Sequence, residues 1–206
     1  MRGFFRVAAV AAAALFLAPA ATGAAASAAT ARPAAGVPVR GGTTSVTTVS
    51  GLVTKLAASG VGIFATDPAT GTLTGTATSN PQLRLTFPIA RGQFSPVSQS
   101  GTIIHTGGFL VMSFATRQQV RFSSLVADFG QKTVTGNIDN SKVTKATLFQ
   151  MDLSQVRVRP GGSGVRISNI GLVLTATGAK VLDSILKVNV FTAGMKIATA
   201  VTSARF

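Results

Sequence analysis

Leu83, Leu85, Phe87 and Ile89 alternate with Arg84, Thr86 and Pro88, the period of two that a strand with one buried face requires. The alternation returns over residues 147–153, where Phe149, Met151 and Leu153 share a side. Further β-forming runs stand at residues 45–49, 61–65, 120–126, 133–138 and 194–202. Turn formers separate them, among them Asp67-Pro68-Ala69-Thr70-Gly71, Asp139-Asn140-Ser141 and the loop 160–164. Short strands at short intervals predict an all-β fold, either an antiparallel β-sandwich or a partly closed barrel.

Two segments break the period and predict short helices. Ser50 is placed to cap the first, which carries Leu52, Val53 and Leu56 on one face and stops at Gly60. Ala176, Ala179, Val181, Leu182, Ile185 and Leu186 recur at helical spacings and predict the second over residues 176–187. Gly107-Gly108 lies between the runs 101–106 and 109–114, where a two-residue hairpin turn would sit. The apolar phase of residues 165–174 slips near Ser168-Asn169, which predicts a bulge. Pro88 has no N–H to give a ladder and predicts an edge or irregular strand end.

The start of the chain reads as an export signal. Arg2 and Arg6 precede an apolar run from Val7 to about Ala21, and small residues with several A-x-A sites follow, so residues 1–28 are expected to be a signal peptide. The run is shorter than the ~20 residues of a membrane-spanning helix, so no transmembrane anchor is expected after cleavage. Residues 29–42, rich in Ala, Pro, Gly and Arg, read as a flexible leader, and residues 43–206 as one β-rich domain. The chain has no cysteine, which excludes a lipoprotein anchor, disulfides and thiolate metal sites. The expected product is secreted, free or held noncovalently to the cell envelope.

Nineteen Lys and Arg against five acidic residues attract anions. The basic residues are spread singly from Arg40 to Arg205, without the clustering and interleaved stacking aromatics of nucleic-acid modules, so nucleic acid is not expected. The aromatic residues are 13 Phe with no Tyr or Trp, which reads as core. An anionic cell-wall polymer or anionic small ligand is the expected partner, with Arg157, Arg159 and Arg166 flanking the loop 160–164 as a candidate rim.

The order of landmarks resembles actinobacterial secreted proteins related to the HtaA domain. The resemblance spans about residues 45–201 and rests on the early helix, "SGTIIHTGGFL", "VTGNIDNSKVTKATLFQMDLS" and "LVLTATGAKVLDSILKVNVFTAGMKIATA". Gly101, Gly107 and Gly108 match the family's G-x-x-x-x-x-G-G hairpin, Thr175, Gly178 and Ala179 its T-x-x-G-A helix, and Phe191 and Gly194 its aromatic-x-x-G turn. The resemblance implies a secreted or surface-held β domain and, as in the best-known members, haem bound through a tyrosine supported by a histidine. This chain has no tyrosine, so haem ligation would fall to His105, its one histidine.

Catalysis finds little to work with. A nucleophile needs a base oriented by a third group, His105 is the one ordinary base, and no G-x-S-x-G elbow occurs. Asp67 and Asp139 fall in turns and Asp183 in a helix. One His and scattered Asp fall short of the three or four ligands of a metal site, so none is expected. The sequence therefore reads as a non-enzymatic, envelope-associated binding module for an anionic ligand or polymer, with no cofactor. The alternative is a haem or porphyrin carrier that uses His105.

Overall fold

The computed structural model describes residues 36–75, 80–139 and 144–206. The expected signal peptide, leader residues 29–35 and the turn residues Asn140 and Ser141 lie outside them. In chain order the elements are β1 (Val37–Val39), β2 (Gly41–Thr48), α1 (Leu52–Ala58), β3 (Val61–Thr66), β4 (Thr70–Thr74), β5 (Gln82–Ser95), β6 (Ser100–His105), β7 (Gly108–Ser113), β8 (Gln119–Asp128), β9 (Thr133–Asp139), β10 (Lys145–Asp152), β11 (Arg157–Gly161), β12 (Gly164–Leu174), α2 (Ala176–Leu186) and β13 (Lys196–Arg205).

Of the two architectures the alternation allows, the barrel forms. Eight strands close on themselves in the order β5, β2, β13, β12, β10, β9, β8, β6 and back to β5, each pair antiparallel. β6 makes the closure, bonded to β5 on one side and β8 on the other. The ring is tight at one end only. β5 pairs with β6 through Ile89–Ser95 but with β4 through Gln82–Thr86. Likewise β8 pairs with β6 through Val126–Asp128 but with β7 through Gln119–Ser123. Beyond His105 the barrel flares, β3 continuing the sheet from β7 and β4 hanging from β5.

The flare explains why Gly107-Gly108 is not a hairpin turn. β6 and β7 do not pair with each other; both run antiparallel to β8, as two halves of one bent strand. Gly107 has φ +75°, and a Cβ there would lie 2.6 Å from the amide nitrogen of Ala69. A Cβ on Gly108 would overlap the carbonyl oxygen of Phe122. Glycine serves close backbone approach here, and two collinear strand halves with Gly-Gly between them carry the same local signal as a hairpin.

Pro88 is likewise not at a sheet edge, since β5 lies inside the barrel wall. It falls between Thr86, the end of the β4 ladder, and Ile89, the start of the β6 ladder, where neither needs an N–H. Its carbonyl accepts the N–H of Thr106 at 3.0 Å. The expected leader is also shorter than residues 29–42: β1 pairs with β5 from Val37 to Val39, Val39 is buried, and β2 begins at Gly41. Val39 alternates correctly for a strand, but too few apolar neighbours surround it to register as one.

The predicted helices form. α1 follows Gly51, whose φ of 78° makes the entry without any side-chain cap, so Ser50 is not the cap residue; Leu52 and Leu56 are buried as expected. α2 is capped by Thr175, whose Oγ1 accepts the N–H of Gly178 at 2.9 Å and donates to the carbonyl of Thr147 at 2.6 Å, fixing the helix to β10. The predicted bulge in β12 is present as a register shift between Ile167 and Ile170, with Asn169 at φ 60°.

Two apolar clusters fill the interior. At the flared end, both helices pack over β3, β7, β8 and β10, with Phe109 stacked on Phe122 at 4.8 Å between ring centres. At the tight end, Phe94 and Phe129 meet edge to face at 5.2 Å, among Ile103, Ile167 and Ile170.

Gly108→Ala is expected to cost more than about 3 kcal/mol in urea unfolding, because the β7–β8 ladder must part to admit a methyl group. Gly161→Ala, where a Cβ would meet nothing within 4 Å, should stay within about 0.5 kcal/mol of the parent.

Candidate functional site

Side chains from most of the barrel strands leave an interior chamber of about 110 Å³. Its wall is apolar, with Leu85, Phe87, Phe109, Phe149 and Met151 prominent. The polar exceptions are Thr44, Thr48, His105 and Thr202. Leu182 of α2 and Phe191 reach the chamber from the helical end.

Three of the polar residues form one chain of hydrogen bonds. His105 faces inward from β6 two residues after Ile103, and only 6% of it is exposed. Its Nδ1 lies 3.2 Å from the carbonyl oxygen of Leu125, and its Nε2 2.8 Å from Oγ1 of Thr44. Thr44 Oγ1 is in turn 3.0 Å from Thr202 Oγ1, its cross-strand neighbour. The Leu125 carbonyl is placed for this by a bulge in β8, where the ladder to β9 passes over Ser124, at φ 51°, and Leu125. Phe87 closes over the imidazole edge to face, 6.4 Å between centres.

The proton positions follow from donor chemistry. A carbonyl only accepts, so His105 Nδ1 carries the proton and donates to Leu125. Burial pushes the imidazole pKa down from 6.5 to about 4, with the bond to Leu125 opposing weakly. At neutral pH the ring is therefore uncharged and Nε2 accepts. The Thr44 hydroxyl donates its one proton to Nε2, so the Thr202 hydroxyl must donate to Thr44. Both ring nitrogens are committed within the fold.

The arginines of the expected site lie elsewhere. Arg159 of β11 stands directly opposite Arg166 of β12, and Arg157 opposite Ser168, all three exposed. Arg166 Nη1 donates to Ser203 Oγ at 3.4 Å on the outer face of β13. The three form an outward basic strip, and none lines the chamber that holds His105. The loop between them is a tight hairpin pairing Gly161 with Gly164. Thr44 and Thr202 carried no signal in the sequence beyond falling on the inward phase of their strands.

Among solved structures, the C-terminal domain of HtaA from Corynebacterium glutamicum matches with a TM-score of 0.53 at 11% identity, covering 80% of this chain and 98% of that domain. The chain has the fold of the HtaA C-terminal domain. The heme binding protein HtaB of the same organism matches at TM-score 0.47 and 15% identity, over 82% of this chain and 96% of that one. No family model matches the sequence, and no curated protein matches it.

On this HtaA-like fold neither a tyrosine nor a free imidazole is available to ligate haem iron, whereas the Met151 thioether does line the chamber. The chain has no tyrosine, and the Nε2 lone pair of His105 is occupied by Thr44. Ligation through His105 would break a buried bond and leave the Thr44 hydroxyl without its acceptor.

The depressed pKa makes His105 a pH-dependent element of stability. The unfolded chain takes up the proton near pH 6.5 and the folded chain near 4. The contribution is therefore complete above pH 6.5 and lost as pH falls toward 4, by about 3 kcal/mol in all. Urea unfolding from pH 4.5 to 7.5 should show this slope in the parent and lose it in His105→Phe.

Proposed function

We propose that this protein is an exported, non-enzymatic binding module that holds a hydrophobic ligand at the flared, helix-covered end of its barrel. The observation that carries the reading is the apolar chamber with its one polar corner, in a protein whose lone imidazole is held neutral and bonded on both sides. Such a ring neither activates a nucleophile nor holds a metal. Apolar pockets with a few placed polar groups are the usual form of a small-ligand site. Among the described residues no helix is long and apolar enough to cross a membrane.

Haem or another porphyrin is the second reading, favoured by the HtaA-like fold together with the sequence resemblance. A porphyrin is larger than the chamber and would lie at its flared end, held by its faces, with iron left unligated by His105. The outward strip of Arg157, Arg159 and Arg166 would raise the local concentration of anionic compounds, propionates included. The same strip is where an anionic envelope polymer would bind.

The test is a titration with hemin and with iron-free protoporphyrin, at moderately high salt to suppress attraction to the arginines. Similar saturable binding of both, unchanged in His105→Ala, is expected for a porphyrin held by its faces. A Soret shift with hemin alone, abolished in a folded His105→Ala protein, would make His105 an axial ligand and overturn the structural role assigned to it. Binding of neither would exclude the porphyrin class and leave smaller apolar ligands.

A further inference from the structure

The chamber is longer than it is wide. Three successive cross-strand rows of β2 and β13 line it: Thr44 opposite Thr202, Val46 opposite Ala200, and Thr48 opposite Ala198. The rows continue onto β5 with Phe87 and Leu85, and onto β12 with Ile170 and Leu172. Inward positions recur every ~6.6 Å along a strand, so three rows span about 13 Å of wall. The room comes from β13, whose Ala198 and Ala200 stand among the larger side chains of β5 and β12. A volume of about 110 Å³ is spread along that length. The compact apolar cavity known to take benzene holds more, ~150 Å³.

We infer that the chamber takes a single unbranched hydrocarbon chain, the ligand's polar head group staying outside at the flared end. The inference rests on the chamber being the ligand site. Shape selects the chain: a long, narrow void fits methylenes in single file and meets a ring with its wall. Wall chemistry keeps the head group out. Among the described residues no Lys, Arg or Asp lines the chamber. Its imidazole and hydroxyls are already bonded: His105 to Leu125 and Thr44, Thr44 to Thr202, and Thr48 to the N–H of Leu83. A polar head drawn inside would give up water for no partner. The ends differ as well. Phe129, packed on the buried Phe94, closes the tight end, whereas Leu182 of α2 borders the chamber at the flared one. The chain's methyl end therefore points toward Phe129.

Straight-chain primary alcohols isolate the chain from charge, being neutral and differing only in length. Dissociation constants of pentanol, heptanol, octanol and decanol are to be measured by calorimetry, with cyclooctanol as the ring control. Affinity should rise about fourfold per methylene and level off once the chamber is full. Cyclooctanol should bind about tenfold more weakly than octanol, the cost of overfilling a packed interior. Ala200→Leu, which narrows the middle row, should bring the levelling-off to a shorter chain. Intermolecular NMR contacts in the parent need no variant: the terminal methyl of octanol should meet Ala200 and Phe129, and its hydroxyl end Leu182. Cyclooctanol binding as tightly as octanol, or contacts with the chain reversed, would overturn the inference while leaving the chamber as a ligand site. Affinity that climbs without levelling off and without contact to Ala200, or failure of every alcohol to bind, would overturn the chamber reading itself.

Discussion

The barrel closes through β6, and His105 at the end of that strand ties it across the interior. One ring nitrogen reaches the β8 carbonyl at Leu125, and the other reaches past β5 to Thr44 on β2. Backbone ladders alone would accept a strand slipped by two residues at similar cost, whereas a buried imidazole with two assigned partners accepts one register. The bulge in β8, the glycine kink after β6 and the threonine pair on β2 and β13 all serve this arrangement. Each would be a defect without it.

The same residue explains why haem iron would find no free imidazole on this HtaA-like fold. A histidine that ligates iron needs a free lone pair directed at open space. Here the lone pair is directed at a hydroxyl, the ring is covered by Phe87, and burial keeps it neutral. What the interior offers is apolar surface, its few polar side chains bonded to one another. The basic strip on β11 and β12 faces solvent on the outside, apart from the apolar chamber within.

Much of the fold was legible because it is written in local patterns. The alternation in β5 and β10, the helical spacing of α2 and the slip at Ser168-Asn169 need no knowledge of partners. Closure was not legible, because it depends on pairings across the chain: Thr44 and Thr202 meet across 158 positions. Gly107-Gly108 misleads for the same reason, since whether two strand halves fold back or run on is decided by β8 and not by the glycines. His105 stood out as the sole histidine, yet its role turned on Leu125, Thr44 and Thr202, which nothing in the sequence marks.

The flare leaves β3 and β4 as neighbouring strands with, among the described residues, no ladder joining them: β3 bonds to β7, and β4 to β5. Everywhere else in the wall, widening the barrel means breaking rows of hydrogen bonds. Past the turn bond from Ala69 N–H to the Thr66 carbonyl, this seam is held by side chains. The wall is thus built like a tube slit part-way along its length, held by ladders at the closed end and by side-chain packing at the slit.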